Sequence, residues 1–262
     1  MKIGFIGCGN MGGALARAAA KVANTELLLS DYSAKKAEEL ALELSARAAT
    51  NKEIAAECDT VFLAVKPNVI ASVVEDIKCE LLQSRATVVT MAAGVKIEKL
   101  EQILGAYPII RIMPNTPAAV GRGMITWCKN CEVTNERADD FCAALCLAGR
   151  LDEISESLID AASAIAGCGP AFVYMFADAL ADGGVAAGLP RDKALSYAIE
   201  TILGAAEMMK ATGKHPEKLK DEVCSPGGST IEGVLALEEG AFRATSAGAV
   251  IAAYEKTKLL GK

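Results

Sequence analysis

Short apolar runs alternate with longer amphipathic stretches over the first 155 residues of the chain. KIGFI opens the sequence, and later runs cover 26–30, 60–65, 87–92, 109–113, 124–128 and 151–154. The stretches between them, such as SAKKAEELALEL, carry apolar residues at helical spacing. Apolar strands separated by helices predict a doubly wound, mostly parallel α/β sheet with helices on both faces.

The pattern changes after residue 155, where every segment becomes alanine-rich and helical. GCGP, GLP, KHP and SPGG interrupt these helices. We therefore predict two domains, an α/β domain over 1–155 and an all-helical domain over 156–262. The stretch 161–177 is free of charge but contains two glycines and a proline, which predicts buried helices and no membrane span.

The amino-acid composition indicates which kinds of molecule the protein binds. The chain is 52% hydrophobic and 23% charged, more apolar than two small domains readily bury, which predicts a homo-oligomer. A net charge of −6 without a long basic run argues against nucleic acid and favours a small-molecule partner. MKIGFIG lacks the features of a signal peptide, so we expect a cytoplasmic protein.

Nine cysteines, an odd count, do not suggest a disulfide framework in such a protein. Cys128, Cys131, Cys142 and Cys146 raise the alternative of a four-thiolate zinc site. Because Cys128 ends a strand-like run and knuckle glycines are missing from the sequence around it, we predict no metal site. The single histidine, His215, is expected to cap or precede a short helix.

Gly7, Gly9 and Gly12 have GxGxxG spacing between the first apolar run and an alanine-rich helical stretch. The first two glycines let the chain turn and approach a pyrophosphate, and the third allows close packing of helix and strand. Asp31 ends the second run about twenty residues later, as in dinucleotide sites. This context predicts a nicotinamide dinucleotide site with the pyrophosphate at the helix N-terminus.

Cofactor choice stays open because the turn after the second run carries opposing signals. Asp31 suits the ribose hydroxyls of NAD, whereas Ser33, Lys35 and Lys36 suit the 2'-phosphate of NADP. Alternatively, Lys35 and Lys36 are solvent-exposed residues at the start of a helix and contact no cofactor. The loop after the third predicted strand adds Lys66, which we expect to contact cofactor or substrate.

SPGGST at 225–230 precedes another helical stretch. Ser229 and Glu232 have capping-box spacing, and Pro226 prevents a helix from running through. Gly227 and Gly228 leave backbone amides uncovered at a helix start, which favours an anion site. The alternative is a capped helix after a tight turn.

The sequence offers no obvious proton donor for a carbonyl. No Lys, Arg or His occurs between Arg150 and Arg191, and Asp178 and Asp182 alone form a polar seam on one helix face. Hydride addition to a protonated C=N bond suits such a site, because the iminium already carries positive charge.

Five segments together resemble the pyrroline-5-carboxylate reductases, and they span nearly the whole chain. They are KIGFIGCGNMG, AVKP, MPNTPAAVGRG, GCGPAFVYMFADALADGGVAAGLPR and KHPEKLKDEVCSPGGSTIEG. The resemblance implies a Rossmann-like N-terminal domain and an all-α C-terminal dimerisation domain. It implies reduction of pyrroline-5-carboxylate to L-proline, the last step of proline biosynthesis, by an interlocked homodimer that sometimes forms larger rings.

The same resemblance implies residue roles. The substrate carboxylate is expected at Gly228, Ser229 and Thr230, and Thr230 fixes the ring nitrogen as the nearest equivalent of a catalytic residue. Val223 and Ser225 shape that pocket, with Glu156 as a weaker candidate. The cofactor residues are Gly7, Cys8, Gly9, Asn10, Met11 and Gly12 at the pyrophosphate, Asp31, Ser33, Lys35, Asn51, Ala64, Val65, Lys66 and Pro67 on the adenosine and ribose side, and Ala92, Ala93 and Gly94 at the nicotinamide.

Two positions depart from the family pattern. Asp31 lies where many NADPH-preferring relatives tolerate a 2'-phosphate, so NADPH is expected with NADH as an alternative. Cys168 replaces the serine common in the glycine-proline turn. The alternative functions are a related imine or ketone reductase for another small carboxylated substrate, and a nicotinamide nucleotide sensor without turnover.

Overall fold

A computed structural model describes residues 1–260 of the chain. Eight strands form one sheet in the order β3-β2-β1-β4-β5-β6-β7-β8. They are β1 (Lys2–Ile6), β2 (Glu26–Ser30), β3 (Arg47–Ala48), β4 (Thr60–Leu63), β5 (Thr87–Thr90), β6 (Ile109–Met113), β7 (Gly123–Lys129) and β8 (Gly149–Glu153).

The predicted doubly wound, mostly parallel sheet is confirmed. Every neighbouring pair is parallel except β6 and β7, which run antiparallel with Ile112 opposite Trp127. Strand order reverses beside β1, since the chain first adds β2 and β3 on one side and then β4 on the other. Open sheets bind ligands outside the carboxyl ends of their strands at such a switch point.

Thirteen α-helices occur within residues 1–260. The sheet region carries α1 (Asn10–Ala19), α2 (Ala34–Leu44), α3 (Asn51–Glu57), α4 (Ile70–Asp76), α5 (Lys78–Ser84), α6 (Ile97–Leu104) and α7 (Asn135–Leu145). After the sheet come α8 (Glu156–Ala166), α9 (Gly169–Ala186), α10 (Arg191–Thr212), α11 (Pro216–Val223), α12 (Ser229–Glu239) and α13 (Phe242–Leu260).

Alternate residues of the strands enter two separate cores, one on each face of the sheet. Phe5 and Phe62 stack with ring centroids 4.5 Å apart in the core beneath α1, α2 and α7. Val61 and Leu63 lie in the other core, which α3, α4, α5, α6 and α8 cover. Burial on both faces explains why these strands read as continuous apolar runs.

The described residues divide into two compact units, and the division differs from the predicted domain boundary. One unit comprises Met1–Cys168 and the chain from Ala253 onward; the other comprises Gly169–Ala252. Helix α8 belongs to the first unit because Ile159 is fully buried in one of its cores. Side chains of α8 also hold a buried arginine of β6.

The second unit is built on the α9 and α10 pair. The two helices pack through small side chains, with Ala177, Ala181, Ala194 and Ala198 buried between them. Large apolar side chains remain exposed on the same two helices, including Val173, Tyr174, Met175, Tyr197, Leu203 and Met208.

The prediction of buried helices over 161–177 is wrong for the single chain. Most of these residues are half-buried or exposed, because the chain places only a few small side chains of this stretch against its own core. The helical stretch Glu156–Ala186 is also long and apolar enough to span a bilayer by length and composition alone. That test is passed equally by core helices of proteins that never enter a membrane.

Candidate active site

The glycine-rich loop between β1 and α1 is shaped by close backbone contacts. Gly7 has φ of 109°, a conformation that favours glycine, and a Cβ there would lie 2.5 Å from the Ala64 carbonyl oxygen. A Cβ on Gly12 would overlap the Gly7 carbonyl oxygen and lie 2.8 Å from Ala64 Cβ. A Cβ on Gly9, in contrast, would meet nothing within 4 Å among the described atoms.

These contacts fit the three roles predicted for the glycines. Gly9 is the N-cap of α1, and no side chain within residues 1–260 accepts from the first amides of that helix. Asn10, Met11 and Gly12 form the first turn, so their backbone N–H groups are available at the positive end of the helix dipole. This is the geometry of an anion site.

The Asp31 carboxylate ties the glycine-rich loop to the turn after β2. Its Oδ2 accepts from Cys8 N at 2.7 Å and its Oδ1 accepts from Ser33 N at 2.9 Å. The Cys8 thiol donates to the Ser30 carbonyl oxygen at 3.4 Å. Burial and the nearby Asp31 charge raise the pKa of the Cys8 thiol to about 11, so the loop carries a neutral thiol at neutral pH.

Asn51 is held at the start of α3 from two directions. Its predecessor Thr50 forms a capping box with Glu53, in which Thr50 N donates to Glu53 Oε2 at 2.7 Å and Glu53 N donates to Thr50 Oγ1 at 3.2 Å. The Ser30 hydroxyl donates to Asn51 Oδ1 at 2.6 Å. The role of Ser30 was not predicted, because a serine that ends an apolar run belongs to no motif.

The lysines suggested for a 2'-phosphate are solvated, since Lys36 is exposed and Lys35 is 83% exposed and lies 3.8 Å from Glu39. Arg17, which the sequence did not suggest, makes two 2.7 Å hydrogen bonds to Glu43. Ser33 is the N-cap of α2. A groove of about 310 Å³ runs past Cys8, Gly9, Asn10, Arg17 and Lys36.

Two further loops leave the same edge of the sheet. Ala64, Val65, Lys66 and Pro67 follow β4, with Ala64 N donating to Ile6 O at 2.8 Å and Lys66 exposed before a short 3₁₀ helix. Ala92, Ala93 and Gly94 follow β5 and lead into α6. The structure therefore places the cofactor residues predicted from the sequence in the loops and helix starts that follow β1, β2, β3, β4 and β5.

The SPGGST segment forms the turn between α11 and α12 in the second unit. Gly227 has φ of 67°, and Gly228 N donates to Ser225 O at 3.0 Å. A Cβ on Gly228 would overlap the Ser225 hydroxyl, which would have to rotate away. Val223, Ser225, Ser229 and Thr230 are exposed around it.

The predicted capping box at Ser229 and Glu232 is wrong. Gly228 is the N-cap because it takes the extended conformation, and Ser229 is already the first helical residue. A residue with helical backbone angles cannot direct its side-chain oxygen at the first amides of the helix, as an extended N-cap residue does. The first amides of α12, at Ser229 and Thr230, therefore have no capping side chain within residues 1–260, which leaves them available to an anion. His215, in contrast, is confirmed as a helix cap, accepting from Glu217 N at 3.3 Å.

Glu156 belongs to the first unit and has polar partners there. Arg111, 1% exposed on β6, donates to Glu156 Oε1 at 3.3 Å and to Asp160 Oδ1 at 2.7 Å. Glu156 Oε1 also accepts from Ile97 N at 2.8 Å, at the start of α6. Arg111 looked like a strand residue in IIRIM, and only its charge within an apolar run signalled a buried ion pair.

No group of three potential metal-ligating side chains lies together anywhere in residues 1–260. Of the four cysteines considered for zinc, Cys131 and Cys146 are exposed. Cys128 is buried, and burial raises the pKa of its thiol to about 11.

Comparisons with known proteins agree across both units. The family model described as pyrroline-5-carboxylate reductase dimerisation matches residues 156–260, and that of NADP oxidoreductase coenzyme F420-dependent matches 2–94. Pyrroline-5-carboxylate reductases of Escherichia coli (strain K12) and Arabidopsis thaliana are 40% and 39% identical, covering 100% of this chain and 98% and 96% of theirs. The crystal structure of the Plasmodium falciparum pyrroline carboxylate reductase with NADP bound is 36% identical, with a TM-score of 0.90 over 100% of this chain and 98% of that one.

Proposed function

Since the chain belongs to the pyrroline-5-carboxylate reductase family, we propose that the sheet edge holds its nucleotide and the α11–α12 turn holds its substrate. The protein is an NAD(P)H-dependent oxidoreductase that reduces the C=N bond of 1-pyrroline-5-carboxylate to L-proline. That reaction is the last step of proline biosynthesis.

The switch point beside β1 would hold the nucleotide. The free amides at Asn10, Met11 and Gly12 receive the pyrophosphate, and the open space above Gly9 lets the backbone approach it. The adenosine and ribose lie toward Asp31 and Asn51. The loop 64–67 would also contact the adenosine and ribose, and Ala92, Ala93 and Gly94 would lie at the nicotinamide.

The substrate carboxylate is received at the start of α12. The tight turn at Gly227 and Gly228 exposes the amides of Ser229 and Thr230 without a competing cap, and a helix N-terminus favours a negative charge. Thr230 adds a hydroxyl in the first turn of the helix. We assign to it the hydrogen bond that orients the ring nitrogen, while Val223 and Ser225 shape the pocket.

Reduction of a protonated C=N bond does not require an ionisable side chain as proton donor. A bound reduced nicotinamide would supply a hydride to the ring carbon of the C=N bond, whose electron pair would move to nitrogen. If the imine is already protonated, the product amine forms without further proton transfer from the enzyme. Binding and orientation are then the protein's main contributions.

Glu156 takes no direct part in this scheme. Its carboxylate already accepts from Arg111 and Ile97, so it fixes α8 to the sheet and to α6. We retain 1–155 as the nucleotide-binding region and 156–262 as the substrate and dimerisation region in functional terms, with α8 anchored to the nucleotide-binding unit.

A homodimer accounts for the exposed apolar side chains of α9 and α10. A second copy would remove side chains such as Tyr174 and Met175 from water, and the matching dimerisation model covers both helices. Disrupting the dimer should abolish activity if, as in the family, the pocket takes residues from two subunits. A larger ring of dimers and a cytoplasmic location stay predictions.

The uncapped start of α12 carries the assignment of the substrate site. Its test is inhibition by L-proline compared with L-prolinamide, which keeps the ring but has no carboxylate. We expect L-proline to inhibit and prolinamide to be at least tenfold weaker, on the order of one charge-assisted hydrogen bond. Equal inhibition would show that no anion site at Ser229 and Thr230 holds the ligand.

The alternative is a related imine or ketone reductase for another small carboxylated substrate, because the SPGG turn recognises the carboxylate and not the ring. A nucleotide sensor without turnover would have no use for a second anion site. Turnover of any cyclic imine would distinguish a reductase from a nucleotide sensor, because the sensor turns over no substrate.

A further inference from the structure

We infer that Ser30 is a positioning residue that orients the Asn51 amide, so that the NH2 group of Asn51 donates to the adenosine half of the bound cofactor. This inference rests on the proposed nucleotide site and deepens it. Neither the glycine motif nor the family resemblance points to Ser30.

The hydrogen bond between Ser30 and Asn51 engages the oxygen of the Asn51 amide and leaves its nitrogen without a partner from Ser30. Ser30 Oγ donates to Asn51 Oδ1 at 2.6 Å, and Ser30 is only 8% exposed. The Oδ1 and Nδ2 atoms branch from one carbon, so holding Oδ1 toward Ser30 turns Nδ2 away from it. Nδ2 donates to no atom of residues 1–260, which leaves two free donors on a half-buried side chain.

The backbone on each side of this bond is also fixed. The capping box of Thr50 and Glu53 sets the start of α3, where Asn51 is the first residue. On the other side, Gly7 N donates to the Ser30 carbonyl oxygen at 2.7 Å. Ser30 thus joins the glycine-rich loop through its carbonyl and Asn51 through its hydroxyl.

The free donors suit the chemistry of an adenosine. Its ring nitrogens and ribose oxygens accept hydrogen bonds, and Asn51 follows β3 on the side of the switch point where the adenosine lies. A reversed amide would present Oδ1 to these acceptors and repel them. Ser30 therefore raises affinity by holding the amide in the observed orientation, and it does so for both NADH and NADPH, whose adenosine halves differ only by the 2'-phosphate.

A double-mutant cycle tests the inference, with 5'-AMP as the adenosine probe and nicotinamide mononucleotide as the control ligand. Ser30→Ala and Asn51→Ala are each expected to raise the Kd of 5'-AMP by about threefold to tenfold, the range for one neutral hydrogen bond. The double variant should bind no worse than Asn51→Ala, because Ser30 acts only through Asn51. The Kd of nicotinamide mononucleotide should not change, because that ligand lacks the adenosine half.

Ser30→Thr keeps the hydroxyl and should restore the affinity for 5'-AMP, while melting temperatures confirm that each variant is folded. Additive losses in the double variant, or an unchanged Kd for 5'-AMP in folded Ser30→Ala, would overturn the inference. A changed Kd for nicotinamide mononucleotide would also overturn it, since Ser30 would then support the whole site. The double-mutant cycle measures only ligand binding. Its result therefore does not depend on whether the protein turns over pyrroline-5-carboxylate.

Discussion

Replacing Gly12 by alanine should destabilise the protein by about 2 kcal/mol. The added Cβ overlaps the Gly7 carbonyl oxygen and lies 2.8 Å from Ala64 Cβ. Neither neighbour yields easily, because Gly7 N is bonded to Ser30 O at 2.7 Å and Ala64 N to Ile6 O at 2.8 Å. Overpacking of this kind costs about 3 kcal/mol, and alanine recovers about 1 kcal/mol through its helix propensity.

Gly9→Ala is the matched control in the same loop. Its Cβ meets nothing within 4 Å of the described atoms, and its φ of −71° and ψ of −171° are open to alanine. The loss of stability should be about 0.5 kcal/mol, from the poorer N-cap. The methyl group would instead stand in the path of the pyrophosphate and weaken amide contacts worth about 1.5 to 3 kcal/mol, so affinity should fall at least tenfold.

Thermal unfolding and nucleotide binding separate the two effects. At about 2 to 4 °C for each kcal/mol, Gly12→Ala should melt several degrees below the parent, and Gly9→Ala within about 2 °C of it. The Kd of NAD(P)H for Gly9→Ala is measured at a temperature where all three proteins are folded. A stable Gly12→Ala would refute the close packing of helix and strand, and native affinity in Gly9→Ala would refute a pyrophosphate at this loop.

Three further predictions follow from the sites and the cores. Thr230→Ala should lower kcat at least tenfold while the Kd of NAD(P)H is unchanged, as single-turnover and binding measurements would show; full turnover would remove Thr230 from the mechanism. Arg111→Ala should reduce the free energy of unfolding by about 3 kcal/mol by leaving the partly buried carboxylates of Glu156 and Asp160 without their cation, against about 0.5 kcal/mol for the exposed Arg150→Ala. Because its raised pKa of about 11 keeps the Cys8 thiol protonated at pH 8, iodoacetamide should label exposed Cys79 well before Cys8 in time-resolved mass spectrometry, and equal rates would contradict that burial.

Much of the nucleotide-binding fold was readable from the sequence because its signals are local. Apolar runs mark strands buried on both faces, and the glycine spacing marks a turn where the backbone and helix α1 come close. Strand ends were less exact: the strand expected over 60–65 ends at Leu63, since the chain turns into the loop that packs on Gly7. Nothing local distinguished the antiparallel pairing of β6 with β7.

The errors and omissions share a physical cause, since each depends on a partner distant in sequence or on a backbone angle. Ser229 has the right spacing for a cap, but Gly228 takes the extended conformation first. Ser30 and Arg111 gain their roles only when β2 meets α3 and β6 meets α8. The exposure of 161–177 could not be foreseen, because apolar composition does not reveal whether the chain itself or a partner covers a helix.

The reductase assignment is tested most directly by following reduced-nicotinamide absorbance with pyrroline-5-carboxylate, using NADPH and NADH in parallel and simple 2-oxo acids as controls. We predict rapid oxidation with the pyrroline alone and L-proline as the identified product, with the ratio of the two rates reporting how Asp31 and the nearby lysines set cofactor preference. No oxidation with either cofactor, in protein shown to be folded and dimeric, would contradict the assignment and direct the search to another imine.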